Sequence, residues 1–365
     1  MEIKTNFKTL KVRVKDRHKA ILEQMAFEVN QVWNAANAIT AEYSCIPVPE
    51  VGWLRCHFTA FELQKLLKGI KKERGFIIHS TTVQEVIAVH HKSRKQFKTD
   101  KLRWRVSGGP RRSLGWVPFK QGAAQWKSGT VYFAGQHFKV WDSYGLSQFK
   151  FRAGAFSQDA RGRWYFNIVV DVPVESPTAV GQIGIDLGLK DTATCSNGLK
   201  LAAQEFYRNN EAQLAKAQRA KQKKRVKAIH AQIKNRRVDH LHKFTTQIVR
   251  ENAFIVVGNV SSSGLAKTKM AKSVLDAGWS MLKTQLDYKS KRMQGVFIEV
   301  NEAYSTQTCS CCGNISANSP KGRAGLVIRE WTCSDCGALH DRDINAARNI
   351  LAAGHSRLAG GITGL

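Results

Sequence analysis

The last third of the chain sets two pairs of cysteines between two acidic segments, and no other feature limits the fold as much. It reads EVNEAYSTQTCSCCG, then REWTCSDCG, then HDRDINAARNIL. Cys309, Cys312, Cys333 and Cys336 make two Cys-x-x-Cys knuckles about twenty residues apart, the spacing of a four-thiolate zinc ribbon. A ribbon folds back and brings its two ends together. Glu302 lies just before it and Asp343 just after it, so the two carboxylates are expected at one site. The other cysteines, Cys45, Cys56, Cys195 and Cys311, are scattered or extra, with Cys311 a bystander inside the first knuckle. A disulfide scaffold is the alternative, but the paired knuckles favour one structural Zn²⁺. The charged, alternating start MEIKTNFKTLKVRV does not read as an export signal, so a reduced, cytoplasmic setting is expected.

Charge limits the partner. With 57 Lys+Arg against 28 Asp+Glu, the formal charge is +29, and a chain this basic binds polyanions. A membrane partner is not expected: there is no basic amphipathic helix with an apolar face, no lipidation signal and no apolar run long enough to span a bilayer. Structural RNA binding would explain the charge alone. At 365 residues and 43% hydrophobic, however, the chain can also bury two or three ordinary cores. The basic residues concentrate between 201 and 250, with 13 Lys+Arg against 3 Asp+Glu in a helix-prone stretch. A phosphate-facing helical hairpin carrying Lys223, Lys224, Arg225, Arg236 and Arg237 is favoured there over a merely solvated face. A second basic stretch interleaves Trp104, Arg105, Arg111, Arg112, Trp116 and Lys120. A stacking and phosphate platform and ordinary edge-strand solubility are equally good readings of it.

The order of elements follows from periodicity. Residues 3–14 alternate as a strand, and Ile21, Leu22, Met25, Val29, Val32, Trp33 and Ala36 put an apolar face on a helix over 16–43. Two further helices are expected near 59–73 and 80–98, the second N-capped within Ser80-Thr81-Thr82. From 102 to 175, short aromatic and β-branched runs between Gly-rich turns predict an antiparallel barrel or curved sheet. The run VPVESPTAV, 172–180, reads as a linker. Beyond it come a strand, a tight turn and a second strand over 181–200, then the basic helices. A buried strand at 253–258, a helix at 272–294, a strand at 295–301 and a last helix complete the order, before a Gly-rich tail.

That order suits an RNase H-like mixed sheet, in which the first, fourth and fifth strands run parallel and end at one edge. Asp186 sits in the first of these strands, in IGIDLG, where a carboxylate is costly unless compensated. A hard divalent cation with oxygen ligands compensates it, and Asp343 in DRDIN faces the same edge. Two Mg²⁺ ions about 4 Å apart would suit hydrolysis of a phosphodiester. Taken alone, Asp186 reads better as a turn or capping residue; with Asp343 after a zinc ribbon, that reading falls to second place.

Residues 181–351 resemble the RuvC nuclease domain of the TnpB family, the transposon-encoded relatives of type V CRISPR effectors. The matching segments are GIDLGLKDTATCSNG, KNRRVDHLHK, SVLDAGWSMLKTQLDYKSKRMQG, AYSTQTCSCCG, WTCSDCG and HDRDINAARNIL. The N-terminal half resembles the family in layout only. The resemblance implies a wedge strand (1–15), a helical recognition domain (16–101) and a wedge β-barrel (102–175). It then implies a RuvC-like nuclease part (176–304), a zinc ribbon (305–340), the last nuclease helix (341–352) and a flexible tail (353–365). It implies an RNA-guided DNA endonuclease that cuts double-stranded target DNA beside a short transposon-adjacent motif, with a guide RNA made from the transposon end.

One position departs from the family. A Glu is usual at the end of the fourth strand, and this chain reads IVVGNVSSSG, with Gly258 there. Glu302 is the favoured replacement, since Fanzor relatives carry a displaced acid in a similar segment and neighbouring strands lie only about 4.8 Å apart. Glu299, mid-strand, is expected to serve as an ion-pair or supporting residue. Asp186, Glu302 and Asp343 are thus the expected Mg²⁺ ligands. Two alternatives stay open: a nuclease-dead RNA-guided DNA-binding repressor, and a guide-free RuvC-type resolvase or RNase H-like nuclease.

Overall fold

In the computed structural model, the described residues are 5–43, 45–48, 52–55, 57–173, 179–322 and 324–359. Contacts divide the chain into two units, Met1–Pro173 and Val174–Leu365. The division falls inside the expected linker, although strand structure runs through its first two residues and 174–178 lie outside the described residues.

The first unit runs β1 (Thr5–Val14), α1 (Lys19–Glu42), β2 (Cys45–Val48), β3 (Gly52–Arg55), α2 (Ala60–Leu66), α3 (Ile70–Glu73) and α4 (Ser80–Phe97). Then follow β4 (Trp116–Phe119), β5 (Ala124–Lys127), β6 (Thr130–Phe133), β7 (Gln136–Phe138), β8 (Val140–Trp141), β9 (Phe151–Gln158) and β10 (Trp164–Pro173). β4, β9, β10, β1 and β8 form one antiparallel sheet in that order, and β5–β7 a three-stranded meander. Leu10 pairs with Ile168 and Val12 with Phe166, so the alternation read in the sequence places both strands' apolar faces together. A cluster of Phe119, Phe133, Phe138, Phe156 and Phe166 fills the core. The expected helix over 59–73 is split by Gly69 at φ +95°, and its start is a capping box of Thr59 and Glu62. The cap of α4 differs from expectation. His79 Nδ1 accepts from the Thr81 N–H at 3.2 Å, one residue ahead of the Ser-Thr-Thr run.

The second unit runs β11 (Gly181–Asp186), β12 (Asp191–Cys195), β13 (Lys200–Ala202), α5 (Glu211–Arg219), α6 (Lys223–Glu251), β14 (Asn252–Gly258), α7 (Ser262–Leu265), α8 (Ala271–Ala277) and α9 (Trp279–Arg292). It ends with β15 (Val296–Val300), β16 (Glu330–Thr332), β17 (Leu339–Asp341) and α10 (Arg342–Ala359). The sheet order is β13-β12-β11-β14-β15, with β11, β14 and β15 parallel and the β12–β13 hairpin antiparallel. This is the expected RNase H-like mixed sheet. Ile183, Ile185, Ile255 and Val257 pack with α6, α8 and α9, while Val256 and Val300 pack with Ile350 of α10, as period-2 strands buried on both faces require.

Two departures have local causes. Gly278, at φ +69°, breaks the helix expected over 272–294 into α8 and α9. The last helix does not end at 352 but continues to Ala359, so the tail expected from 353 is helical over its first residues; 360–365 lie outside the described residues. Close approach explains the extension. A Cβ at Gly354 would strike the Val256 side chain, and one at Gly184 would strike the Ala347 carbonyl oxygen. Both positions need glycine for α10 to lie on β11 and β14, and Arg357 Nη1 then donates to the Glu299 carbonyl at 2.8 Å.

Candidate active site and metal centre

The parallel strands set the positions of the acids. Ile185 pairs with Val257 and Gly258 with Val300, so Asp186, Gly258 and the residues after Val300 reach the same sheet edge. Asp186, Glu302 and Asp343 line one open cleft of about 470 Å³, with Arg329, Arg342, Ser305 and Met270 among its walls.

Glu302 leans over the position that Gly258 leaves open. A Cβ on Gly258 would strike Glu302 Oε2 and stand 3.2 Å from both Glu302 Cβ and Ile350 Cδ1. The buried Glu302 Oε2 has no partner among the described residues. Burial raises the Glu302 pKa, against the pull of Lys283 and the Val260 hydrogen bond. Asp186 is pushed up to about 7 by burial first, then by the charges of Asp343 and Glu302; Arg342 and the Leu187 N–H oppose the rise. Asp343 sits in the first turn of α10. Its N–H and that of Ile344 donate to Asp341 Oδ1 at 2.9 and 3.0 Å, so Asp341 caps the helix. The Asp343 carboxylate accepts from Arg329 at 3.1 Å and from Arg342 at 3.0 and 3.2 Å. Glu299 is paired with Lys283 at 2.7 Å on an exposed face, the ion-pair role expected for it.

The four knuckle cysteines converge. Their Sγ atoms all lie within 4.8 Å of one another, with Cys309–Cys336 at 3.6 Å and Cys312–Cys333 at 3.8 Å. A tetrahedron with Zn–S bonds of about 2.3 Å has edges of about 3.8 Å, so these thiols fit a structural zinc. The two knuckles repeat one backbone pattern: Cys309 N–H donates to the Asn314 carbonyl and Cys333 N–H to the Ala338 carbonyl, each at 2.9 Å. Among the described residues no other group of three or more possible metal-binding side chains comes so close. The three carboxylates share their cleft more loosely, with Asp343 held on its arginines. As a set of hard oxygen donors with one buried lone oxygen, they suit divalent cations such as Mg²⁺.

Several residues around the sites were not read from the sequence. Asn345 and Asn349, one turn apart on α10, donate to the Thr308 carbonyl at 2.8 and 2.6 Å, and Asn345 Oδ1 accepts from the Ser310 N–H at 2.8 Å. They fasten the first knuckle to the helix that carries Asp343; two Asn at helical spacing in DINAARN were the available signal. Buried His340 lies 3.0 Å from Cys309 Sγ and against the Trp331 ring.

Of the basic residues, Lys223, Lys224, Arg225 and Arg236 are exposed on α6. Leu214, Ala217, Ile229 and Ile233 hold α5 to α6 as the expected hairpin. Arg237 departs from expectation, because Asp276 binds its guanidinium at 2.6 Å in a largely buried ion pair, and the same aspartate accepts the Tyr207 N–H. The pair ties α6 to α8. Arg111 and Arg112 are exposed in the first unit, with Arg112 Nη1 donating to Gln158 at 2.9 Å. Among the described residues no helix is long and apolar enough to cross a membrane.

A mixed sheet with three acids at one edge, followed by a four-cysteine ribbon, has a RuvC-like architecture, and the comparisons match that fold. Residues 166–269 match the OrfB_IS605 family, "Probable transposase", and residues 279–350 match the "Cas12f1-like, TNB domain" family. A protein of Streptomyces pristinaespiralis described as "Putative RNA-guided DNA endonuclease" is 38% identical over 213 residues, covering 54% of this chain and 52% of that protein. "Putative RNA-guided DNA endonuclease InsQ" of Escherichia coli K12 is 32% identical over 230 residues, covering 55% and 56%. The chain spans about half the length of these curated relatives. The protein chain of a cryo-EM Cas12f1–sgRNA–target DNA complex shares the fold at a TM-score of 0.60 and 12% identity, over 95% of this chain and 98% of that one.

Proposed function

We propose that this chain is an RNA-guided DNA endonuclease that hydrolyses target DNA with Mg²⁺. The observation that carries the reading is the cleft in which Asp186, Glu302 and Asp343 meet, with Glu302 lying over Gly258 and its Oε2 unpartnered. Three neighbouring carboxylates, one pushed to about 7, repel each other and favour cations among them. Two Mg²⁺ ions bound by Asp186, Glu302 and Asp343 would activate water and stabilise the leaving oxygen of a phosphodiester. The protein's own part is positioning. β11 fixes Asp186, the turn after β15 sets Glu302 over Gly258, and Asp341, Arg329 and Arg342 orient Asp343. The cysteine ribbon, held by one Zn²⁺, keeps the segments of Glu302 and Asp343 together. Guide–target pairing supplies sequence specificity, and the protein reads duplex shape and a short flanking motif. The exposed Lys223, Lys224, Arg225 and Arg236, with Arg111 and Arg112, are the phosphate contacts in this account.

The names of the relatives and the two matched family segments support this reading over its two alternatives, and the closeness of Glu302 to Gly258 supports Glu302 as the acid that stands in for the missing one. The test begins by sequencing the RNA that copurifies with the chain, then offering a matching DNA duplex. Cleavage that needs both the matching guide and Mg²⁺ is expected. Guided binding without cleavage would make the chain a repressor; cleavage without RNA would make it a guide-free nuclease.

A further inference from the structure

The stretch 102–107, RWRV at its centre, has no regular secondary structure and is nonetheless fixed by side-chain hydrogen bonds. Asn30, Trp33, Asn34 and Asn37 share one face of α1. Asn37 Nδ2 donates to the Leu102 carbonyl at 2.9 Å, and Asn37 Oδ1 accepts from the Leu102 N–H at 2.8 Å. Asn34 repeats the arrangement with Arg105, both bonds at 2.9 Å. Trp33 Nε1 donates to the Arg103 carbonyl at 3.2 Å, and Asn30 Nδ2 to Ser107 Oγ at 2.9 Å. The helix thus gives this strap what a neighbouring β-strand would give, with amides in place of a backbone. At the far end the Ser113 N–H donates to the Val106 carbonyl at 2.7 Å and closes the loop.

The strap's two sides differ in kind. Leu102 is buried, and Arg105 turns inward, its Nε on Asn30 Oδ1 at 2.6 Å and its guanidinium 5.8 Å from the rings of both Trp33 and Trp116. Arg103, Trp104 and Val106 face outward, Trp104 at 42% and Val106 at 44% exposure. Arg111 and Arg112 are exposed at the tip of the same closed loop.

We propose that the strap is a nucleic-acid contact in which the Trp104 indole stacks on an unpaired RNA base, with Arg103 and Arg111 on the flanking phosphates. A lone exposed tryptophan needs no explanation. A row of largely buried amides spent on holding an irregular segment, so that an exposed indole follows an exposed arginine along it, is better explained by a ligand, because a rigid platform loses little entropy on binding. An aromatic face beside guanidiniums is the chemistry that takes up bases and phosphates, and the chain's +29 charge selects a polyanion. RNA is the favoured source because bases in its loops are unstacked, whereas those of a duplex are already covered. The inference rests on the proposed function only in taking RNA as a partner.

The test uses the full chain freed of copurified RNA, with fluorescence anisotropy on short oligouridylate, oligodeoxythymidylate and an abasic oligonucleotide of equal length. The unmodified chain should prefer oligouridylate to the abasic probe. Trp104→Ala and Trp104→Leu should each weaken oligouridylate binding by roughly tenfold, the size of one base–aromatic stack, with an unchanged salt slope. Trp104→Phe should retain most of the affinity, and Asn34→Ala should lose part of it with Trp104 intact. Trp104→Leu keeps an apolar side chain at the position, so a fold defect confined to the Ala variant does not decide the outcome. Unchanged oligouridylate binding by Trp104→Leu would overturn the proposal, and a loss confined to oligodeoxythymidylate would overturn its assignment to RNA. None of these readings depends on cleavage, so failure of the nuclease reading would be seen separately.

Discussion

Asp186→Asn should make the protein more stable in Mg²⁺-free buffer while removing its activity. The folded site holds the Asp186 carboxyl at about 7 against an ordinary 3.8, chiefly through burial and then through Asp343 and Glu302. A raised carboxylate pKa means that the charged form is disfavoured in the folded state. The penalty is therefore fully present above pH of about 7, shrinks as pH falls toward 3.8, and vanishes below it. Three pKa units at about 1.4 kcal/mol each set an upper value of roughly 4 kcal/mol at about pH 8, falling to roughly 2 kcal/mol at about pH 5.5. Urea unfolding of both proteins at the two pH values, without chelator so that the ribbon keeps its metal, measures the difference. Asn should gain about 2–4 kcal/mol at the higher pH and clearly less at the lower one. Added Mg²⁺ should stabilise the unmodified chain and not the variant. A variant less stable than its parent at the higher pH, or a gain that does not change with pH, would refute the electrostatic account of the cleft.

Other predictions concern the ribbon and the hairpin. Cys333→Ser or Cys336→Ser should lose close to one zinc per chain by elemental analysis and lower cleavage, because Asn345 and Asn349 couple the knuckle to α10; no zinc in the unmodified protein would end this idea. Reversing the charge of Lys223, Lys224 and Arg225 together should weaken nucleic-acid binding and flatten its dependence on salt. An unchanged slope would mark these residues as a solvated face.

Local pattern carried much of the architecture. β11, β14 and β15 were legible as apolar runs, α1 through its helical apolar spacing, and the ribbon through its knuckles, because each depends on neighbours in sequence. What escaped depends on contacts between distant residues. Arg237 read as one more base in a basic helix until Asp276, far along the chain, took its guanidinium. The end of α10 read as a Gly-rich tail because Gly354 looks like a helix breaker, yet it is the residue that lets the helix lie on Val256. The stretch after residue 102 read as the start of a β-barrel, whereas its backbone bonds go to asparagines of α1 more than sixty residues earlier, with Leu102 and Asn37 separated by 65 positions. The candidate site was more legible than these because three acids and four cysteines lie at tell-tale places in their segments. The closeness of Glu302 to Gly258 was inferred from strand spacing, and the β14–β15 register gives it a physical basis.

The most direct test of the account is guided cleavage by Glu302→Ala. With a matching guide, target duplex and Mg²⁺, this variant should bind the target nearly as well as its parent and fail to cut it, since removing one ligand disables the metal site without touching guide pairing. Gly258→Glu in the same background should recover part of the activity, because truncating Glu302 removes the carboxylate that a Gly258 side chain would strike. Full cleavage by Glu302→Ala would contradict the account and move the third acid elsewhere, with Glu299 the next residue to test.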